Sequence, residues 1–173
     1  MERPSGFTLV EALVTLSVLS ITLAVGIPGL SALIQHLRAA STTSAIVSQM
    51  NHARLAAVTH RRPAILCPST DSVRCSPGGD WSMGWIVFVE RGDAQGPRAE
   101  LDLLQVGGAP VNGHLRVRSS NGRSRLRYLP DGRSSGSNLT LRVCTLQGEQ
   151  IGAVVVNNAG RPRVERGPQR QPC

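Results

Sequence analysis

The first sixty residues carry hydrophobic positions at helical spacing, in two different patterns. From Ala12 to Leu30 the chain has no charged side chain, and its few polar groups are small hydroxyls that a helix can bond to its own carbonyls. Beyond Leu30 apolar residues recur about every three or four positions, which predicts an amphipathic helix. These later positions include Leu33, Ile34, Leu37, Ile46, Val47, Met50, Leu55 and Val58. Because the pattern ends before Pro63, we predict one helix from about Phe7 to His60, roughly 80 Å long.

The first half of this predicted helix has the length and composition of a membrane span. Its uncharged positions, Ala12 to Leu30, cover most of a hydrocarbon core of about 30 Å. A secretory signal peptide is the alternative, but a small-residue cleavage site would then follow, whereas here the helical spacing continues. Pro28, between Gly26 and Gly29, is expected to kink or melt the helix locally. We therefore expect a membrane-embedded half followed by an amphipathic half.

Beyond Pro63 the hydrophobic period changes from helical to alternating, which is typical of strands. Turn signals such as PGGD, RGDAQGP, PDG and QG separate the alternating segments. The predicted strands are Ala64–Cys67, Gly84–Glu90, Glu100–Val106, His114–Ser119, Ser124–Leu129, Asn138–Cys144 and Gln150–Asn157. The pattern predicts an α+β protein, in which the amphipathic half of the helix covers one antiparallel sheet or a pair of sheets.

Two of these strands are predicted to form a hairpin rich in arginine. Asn121-Gly122 is a strong signal for a two-residue turn, and such a turn fixes the register. In that register the apolar side chains fall on one face and four arginines on the other. The four are Arg116, Arg118, Arg125 and Arg127. Opposed like charges destabilise a sheet, so this face is better understood if it binds a polyanion, with Arg123 and Arg133 nearby. The alternative is that the arginines pair with acids elsewhere in the domain or in a neighbouring subunit.

All 19 basic residues are arginines, and their distribution along the chain is uneven. Residues 1–113 carry 8 arginines and 8 acids, whereas residues 114–173 carry 11 arginines and 3 acids, a net charge of +8. An excess confined to one third of the chain indicates an anionic partner. Few aromatic residues are available to stack on bases, so duplex DNA bound through its phosphates suits the composition better than a single strand. Anionic lipid or lipopolysaccharide is the competing partner on grounds of charge.

A second arginine motif lies near the C-terminus, in Gly160-Arg161-Pro162-Arg163. Pro162 fixes its own φ and favours an extended Arg161, so Arg161 and Arg163 are predicted to point to the same side of a loop. Gly160 permits the turn that presents them. Two guanidinium groups on one side of a loop can bind a phosphate bidentately, unless they are simply solvated surface charges.

The N-terminal sequence MERPSG followed by FTLVEALVTLSVLS resembles the leader and first helix of type IV pilins and type II secretion pseudopilins. The resemblance implies that a prepilin peptidase cuts between Gly6 and Phe7 and methylates the new amine. It also implies that the helix is first a membrane anchor and then part of a filament core. Burying a carboxylate in the bilayer costs free energy, so such a residue usually has a function. In the family the partner of this carboxylate is the N-terminal amine, here that of Phe7. The resemblance therefore implies that Glu11 acts in assembly. The alternative is an acid close enough to the interface to stay hydrated.

Pilin topology places the four cysteines in the periplasm, where an even number of cysteines indicates disulfides. Local order favours Cys67 with Cys75 and Cys144 with Cys173, among the three possible connectivities. Zinc is the alternative, but neither the cysteine spacing nor the scattered histidines fit a usual zinc site. The histidines are His36, His52, His60 and His114.

The segment Cys67–Glu90, with its cysteine pair and a Gly-Trp leading into an apolar strand, resembles the FimT and GspH group of minor pilins and pseudopilins. FimT-like members carry a Gly-Arg-x-Arg element followed by a cysteine, and residues 160–163 match it. Two departures are Pro162 at the variable position and the nine residues between Arg163 and Cys173, and both put the geometry of the loop in doubt. The group is implicated in DNA capture for natural transformation, so the resemblance implies a DNA-binding minor pilin.

The sequence as a whole predicts a membrane-anchored filament subunit rather than an enzyme. It has no nucleophile elbow, P-loop, dinucleotide fingerprint or metal-binding histidine pair, and no cofactor is expected. We expect a leader at 1–6, a membrane or filament-core segment at 7–30, an amphipathic helical segment at 31–62 and a globular domain at 63–173 with a disulfide-tethered tail.

The predicted location is the bacterial inner membrane, with the globular domain in the periplasm, in the company of other pilins and the prepilin peptidase. The favoured function is a type IV minor pilin that binds DNA without sequence preference and contributes to natural transformation. The alternative is a structural minor pseudopilin of the type II secretion system, in which the arginines serve subunit contacts.

Overall fold

The computed structural model describes residues 8–92, 95–108, 113–120, 122–166 and 173. The predicted cleavage site between Gly6 and Phe7 therefore lies outside the described residues, as does Asn121 of the predicted turn. The chain divides into two compact units, one ending at Leu37 and the other running from Arg38 to Cys173. A single helix, α1 (Leu9–His60), contributes to both units.

In the first unit, α1 is an apolar helix whose hydroxyl groups are bonded to its own backbone. Thr15, Ser17, Ser20 and Thr22 each donate to a carbonyl three or four residues earlier, at 2.7–3.1 Å. These bonds satisfy the only polar side chains between Ala12 and Leu30, as the sequence predicted. The backbone is helical at position 28, so the predicted local melting does not occur. By length and composition, α1 is able to cross a membrane.

Helix α1 ends in a backbone motif that needs a left-handed residue. The amide of Arg62 donates to the carbonyl of Ala57 and that of Arg61 to the carbonyl of Val58, both at 3.3 Å. Arg61 has a φ of 49°, the conformation that this Schellman pairing requires just beyond the helix. Pro63 follows, and the first strand begins at Ala64, which confirms the helix end predicted from the sequence.

In the second unit, α1 packs through a face made mostly of small residues. The buried positions are Ala39, Thr42, Thr43, Ile46, Met50, Ala53, Ala56 and Ala57. Leu55 and Val58, which the sequence assigned to the apolar face, are instead 64% and 47% exposed, so that assignment was wrong. Much of the buried face consists of alanine and threonine, which a pattern of large apolar side chains does not reveal. Their small size allows the helix backbone to approach the sheets closely.

Within the described residues, the strands form two antiparallel sheets of four. The strands are β1 (Ala64–Pro68), β2 (Trp85–Val89), β3 (Leu103–Gly107), β4 (Leu115–Ser119), β5 (Leu126–Tyr128), β6 (Leu139–Thr145), β7 (Gln150–Val156) and β8 (Pro162–Arg166). A short 3₁₀ helix, Glu100–Asp102, precedes β3. The order of the first sheet is β3-β2-β1-β5 and that of the second is β4-β6-β7-β8. The α+β class is confirmed, and each of the seven predicted strands corresponds to a strand, although Glu100–Asp102 of the third is a 3₁₀ helix. Strand β8 was not predicted.

One hydrophobic cluster joins α1 to both sheets. It includes Ile46 and Met50 from α1, Leu66 from β1, Tyr128 from β5 and Leu141 from β6. Removing this apolar surface from water provides the main driving force for the fold. A smaller cluster of Ile65, Cys67, Ile86 and Phe88 covers the opposite face of the first sheet, with Cys75 packed against it. The second unit thus has a helix on one side of its sheets and a separate small core on the other.

The predicted hairpin between β4 and β5 is wrong. Strand β4 pairs with β6 in the second sheet, and β5 pairs with β1 in the first. The apolar assignments survive, since Leu115, Val117, Leu126 and Tyr128 are all buried. The turn signal at 121–122 does not determine strand pairing. Both β4 and β5 pair with strands more distant in the sequence, and those pairings bury the same apolar side chains.

Candidate polyanion-binding site

Two turns meet at one end of the second unit. The first follows β5 and spans Leu129–Arg133, and the second joins β7 to β8 and spans Asn157–Gly160. Gly160 has a φ of 74°, and a Cβ at this position would overlap the carbonyl oxygen of Gly132 and touch the ring of Tyr128. The amide of Ser134 also donates to the carbonyl of Asn158, at 3.0 Å. Only glycine fits position 160, both for its backbone conformation and for this close approach.

Four arginines lie in or beside these two turns. Arg133 lies between Gly132 and Ser134, which both contact the second turn, and Arg161 directly follows Gly160. Arg163 is two residues further along, at the start of β8. Arg54 reaches over from α1, and its Nε donates to the carbonyl of Gly132 at 2.9 Å. We call Arg54, Arg133, Arg161 and Arg163 the turn arginines.

Two of the turn arginines are partly neutralised by acids. Nε of Arg133 lies 2.6 Å from a carboxylate oxygen of Asp131, and Nη2 of Arg163 lies 3.2 Å from a carboxylate oxygen of Glu165. Backbone and side-chain hydrogen bonds from Arg133 lower the pKa of Asp131, so this carboxylate is charged at neutral pH. Among the described residues, Arg161 has no ion pair. With four arginines against two acids, the two-turn region keeps a net charge of +2.

The sequence predicted Arg161 and Arg163 on a loop, but only Arg161 is outside regular structure. Arg163 belongs to β8, directly opposite Val155 of β7. Its side chain is 67% exposed, so it is available to a ligand in spite of its contact with Glu165. The GRPR segment is therefore the end of a hairpin anchored in a sheet, which holds these two arginines more rigidly than a loop would.

The arginines of the predicted hairpin are divided between the two sheets. Arg116 and Arg118 lie on the outer face of the second sheet, because they alternate along β4 with Leu115 and Val117, which are buried in the core. Arg118 lies directly opposite Arg142 of β6, which is the actual pair of opposed like charges in this protein.

Acids flank this opposed pair at both ends of its row. On one side, a carboxylate oxygen of Asp80 lies 4.0 Å from Nη2 of Arg118. On the other side, Glu165 of β8 is in line with Arg142 of β6, with one strand, β7, between them. Burial raises the pKa of Asp80, but hydrogen bonds from Ser82 and the charges of Arg118 and Arg116 outweigh burial and lower it. Because Glu165 is also the ion-pair partner of Arg163, the row is only partly neutralised, mainly by Asp80.

Arg127 of the predicted face and Arg123 beside it both have partners within the chain. Arg127 of β5 forms an ion pair with the half-buried Glu90, with Nε 2.7 Å from the carboxylate oxygen. Arg123 is half-buried and donates to the backbone carbonyls of Ser135 and Ser137, and burial lowers its pKa. Arg125 precedes β5 and is half-buried. A single face that presents Arg116, Arg118, Arg125 and Arg127 together does not exist.

Both disulfides favoured by the sequence are formed. Cys67 is joined to Cys75 and Cys144 to Cys173, with Cα separations of 5.5 and 6.3 Å. The first closes a short loop in which Asp71 accepts hydrogen bonds from the amides of Val73 and Arg74. The second ties the C-terminal residue to β6 in the middle of the second sheet. Across the described ranges, no group of acids, histidines and cysteines is arranged to hold a metal.

At the N-terminus, Glu11 occupies the first turn of α1. Its amide donates to the hydroxyl of Thr8 at 3.3 Å, so Thr8 caps the helix three residues before the acid. A carboxylate in a first turn interacts favourably with the helix dipole. The amine proposed to pair with Glu11 belongs to Phe7, which lies outside the described residues.

Sequence reasoning missed Arg54 altogether as a site residue. It lies on α1 between residues that were read only for their hydrophobic spacing, and its partner, the carbonyl of Gly132, is 78 residues away. The two glycine-containing turns, PDG and NNAG, are visible in the sequence, but their mutual contact is not. No local signal in the sequence links Arg54 to the turns that carry Arg133 and Arg161.

Two family profiles match the sequence. The profile described as type II transport protein GspH matches residues 42–160, more than half of the chain. The profile described as the prokaryotic N-terminal methylation motif matches residues 1–27. No curated protein matches the sequence significantly.

Solved structures of similar fold are minor pilins and a minor pseudopilin. The type IV minor pilin FimU of Pseudomonas aeruginosa aligns with a TM-score of 0.62 and 17% identity, over 79% of this chain and 96% of FimU. The minor pseudopilin EpsH from the type 2 secretion system of Vibrio cholerae aligns with a TM-score of 0.52 and 13% identity, over 75% of this chain and 97% of EpsH. At these identities the likeness concerns the fold alone.

Proposed function

Since this chain belongs to the GspH family of minor pilins and pseudopilins, we propose that it is a type IV minor pilin that binds duplex DNA through the turn arginines. Its apolar N-terminal helix and its N-terminal methylation motif are those of a subunit that is anchored in a membrane and incorporated into a filament. We further propose that the second unit faces the periplasm, where DNA entering the cell would meet it and where its disulfides would persist.

The observation that carries the DNA proposal is the placement of four arginines in or beside the two turns that meet at Gly132 and Gly160. The arginines come from α1, the turn after β5 and the β7–β8 hairpin, and the sheet and the helix fix their positions. Arginine binds phosphate oxygens through a planar set of donors, and a cluster with net positive charge attracts a polyanion.

Duplex DNA is favoured over single strands because the described globular residues expose no aromatic side chain. Trp81, Trp85, Phe88 and Tyr128 are all buried in the core. Proteins that hold single strands stack bases on exposed aromatic rings, whereas duplex binding without sequence preference needs only phosphate contacts. The expected interaction is therefore electrostatic and strongly dependent on salt.

A structural pseudopilin is the second candidate, and the ion pairs favour it. Five arginines in the described residues contact acids of the same chain. They are Arg91, Arg118, Arg127, Arg133 and Arg163. If most of the positive charge serves internal pairing and subunit contacts, no DNA binding is required. The two candidates differ in whether the intact protein binds DNA at low salt.

The test is a titration of fluorescent duplex DNA with the full chain in an uncharged detergent, at several salt concentrations. The parent protein is expected to bind with a dissociation constant of roughly 10⁻⁴ to 10⁻⁶ M near physiological salt. Arg161→Gln with Arg163→Gln should weaken binding and reduce the slope of log K against log salt by up to about two units. A control, Arg74→Gln with Arg98→Gln, removes the same charge at exposed positions away from the two turns.

The control variant should lose much less affinity than the site variant. Equal losses in both would mean that only net charge matters and that the turns are not the site. A folded parent protein that fails to bind duplex DNA at low salt would favour the structural pseudopilin.

A further inference from the structure

The last turn of α1 lies against the first of the two turns. A Cβ added at Gly132 would come within 3.4 Å of a methyl carbon of Val58, and Arg54, one helical turn earlier, donates to the carbonyl of Gly132. The strand that follows the helix continues this contact. Ala64 of β1 lies opposite Tyr128 of β5, and the turn begins directly after Tyr128. The residues between Val58 and Ala64 are therefore held at the same end of the second unit as the turn arginines.

Two exposed arginines, Arg61 and Arg62, occupy this connection between α1 and β1. Across the described residues, neither of them has an ion pair or a side-chain hydrogen bond. Glu90, whose amide donates to the carbonyl of Pro63, has its carboxylate paired with Arg127. We call Arg61 and Arg62 the helix-end arginines. Added to the turn arginines, they raise the net charge of this region from +2 to +4.

Arg61 holds a backbone conformation that favours glycine. Its φ of 49° is left-handed, and the residue just beyond a helix that ends in this way is most often glycine, which has no Cβ to clash. In the described ranges, Ser72 is the other non-glycine residue with a positive φ. A side chain kept at such a position, where glycine would be less strained, points to a function of that side chain.

We propose that the helix-end arginines bind phosphates of the same DNA duplex as the turn arginines. This rests on the proposed function and adds a further segment of the chain to the binding surface. Arg62 lies within about 8 Å of Ala64, because consecutive Cα atoms are about 3.8 Å apart. Duplex DNA carries a phosphate about every 3.4 Å along the axis on each strand, so arginines spread over a distance of this order can each meet a phosphate.

Arg61→Gly with Arg62→Gln tests this inference in the DNA titration with the full chain. Glycine relieves the positive φ at position 61, and glutamine keeps a polar side chain at position 62. Affinity near physiological salt should fall about tenfold, and the salt slope should fall by up to about two units. The matched control is Arg74→Gln with Arg98→Gln, which removes the same charge at exposed positions away from the two turns.

A merely structural role of the helix-end arginines predicts a different result. Positive charges beyond the last turn interact favourably with the helix dipole, so a loss of that role would lower the melting temperature and leave the salt slope unchanged. For a role in DNA binding, Arg61→Gly should melt at the same or a higher temperature than the parent protein and still lose affinity. Arg61→Asn, which tolerates a left-handed backbone and carries no charge, should lose affinity to the same extent.

A combined variant tests whether both groups of arginines hold one duplex. Arg61→Gly with Arg62→Gln is joined to Arg161→Gln with Arg163→Gln. The salt slope should then fall by up to about four units, the sum of the two separate losses. A combined loss no greater than that of either pair alone would mean that the two groups do not contact the same duplex, and would overturn the inference.

The remaining outcomes separate this inference from the proposed function. If the parent protein binds DNA and the helix-end variant loses no more affinity than the control, the inference is wrong and the proposed function stands. If the folded parent protein fails to bind DNA at low salt, the proposed function is wrong and the inference falls with it. Binding to vesicles of anionic phospholipid that depends on Arg61 and Arg62, without binding of DNA, would identify a membrane surface as the partner and overturn both.

Discussion

Gly160 and Gly132 meet backbone to backbone, and this contact holds the β7–β8 turn against the turn that follows β5. The side chain of Arg54 also holds the first turn, through its hydrogen bond to the carbonyl of Gly132. The approach depends on the missing Cβ of Gly160 and on its left-handed φ of 74°. Arg133 and Arg161 are each the next residue along the chain, so this contact places them on two adjoining turns.

Gly160→Ala should destabilise the second unit and weaken DNA binding together. The new methyl group would overlap the carbonyl of Gly132, in addition to the strain of a positive φ, and we expect a loss of about 2–4 kcal/mol in the free energy of unfolding. The matched control is Gly148→Ala, whose φ of 88° is similarly left-handed but whose Cβ would meet nothing within 4 Å. Thermal or chemical denaturation should show a clearly smaller loss for the control; equal losses would mean that the contact between the turns contributes nothing.

Removal of the disulfide between Cys144 and Cys173 should lower the free energy of unfolding, because the unfolded chain gains conformational entropy when the bond is absent. The bond closes a loop of 29 residues, for which the loop-entropy estimate is about 3.6 kcal/mol as an upper value. Cys144→Ala with Cys173→Ala should therefore lower the midpoint of urea unfolding substantially. DNA binding at a temperature where the variant is still folded should change little, because the turn arginines do not touch this bond. A variant as stable as the parent protein would show that the tail is already ordered without the bond.

Stability should fall in acid, with Asp71 as one identifiable cause. Hydrogen bonds from the amides of Arg74 and Val73 lower the pKa of Asp71 below its usual value of 3.8. A carboxyl whose pKa is lower in the folded state stabilises the protein above its unfolded pKa, and that contribution is lost as the pH falls through the folded pKa. Melting temperatures should thus decline below about pH 4.

Asp71→Asn keeps a hydrogen-bond acceptor but no longer titrates. Its melting temperature should depend less steeply on pH in the acid range than that of the parent protein. Identical acid profiles for the two proteins would assign the decline to other carboxyls, such as Asp80, whose pKa is also lowered.

The mature protein is expected to begin at Phe7 with a methylated amine. Mass spectrometry of the membrane-bound form tests this directly, and Gly6→Leu, which places a bulky side chain directly before the predicted cleavage site, should accumulate uncut. The N-terminal methylation motif at residues 1–27 supports the expectation. Retention of Met1 in protein recovered from assembled filaments would contradict it.

Glu11→Gln should leave membrane insertion intact but impair incorporation into filaments. The amide keeps the size of the side chain and removes only the charge that is proposed to pair with the amine of Phe7. Thr8 should still cap α1, because its hydroxyl accepts from the backbone amide of residue 11 and not from the side chain. Membrane fractionation beside filament purification separates the two effects; normal incorporation would leave Glu11 without an assembly role.

Much of this protein is determined by its sequence alone. The helix and its end, seven strands and both disulfides follow from hydrophobic period, turn residues and the order of the cysteines, all of which act over short distances along the chain. The buried sides of β4 and β5 were also predicted correctly, because alternation fixes which side chains face the core whatever strand lies alongside.

Strand pairing was decided only by the tertiary structure. Backbone hydrogen bonds between strands carry little sequence information, so the turn signal at Asn121-Gly122 could not exclude the longer-range pairing of β4 with β6 and of β5 with β1. That choice separated Arg116 and Arg118 from Arg127. The contact of Gly132 with Gly160 and the reach of Arg54 from α1 then gathered a different set of arginines, because side chains far apart in the sequence come together only when the elements that carry them have packed.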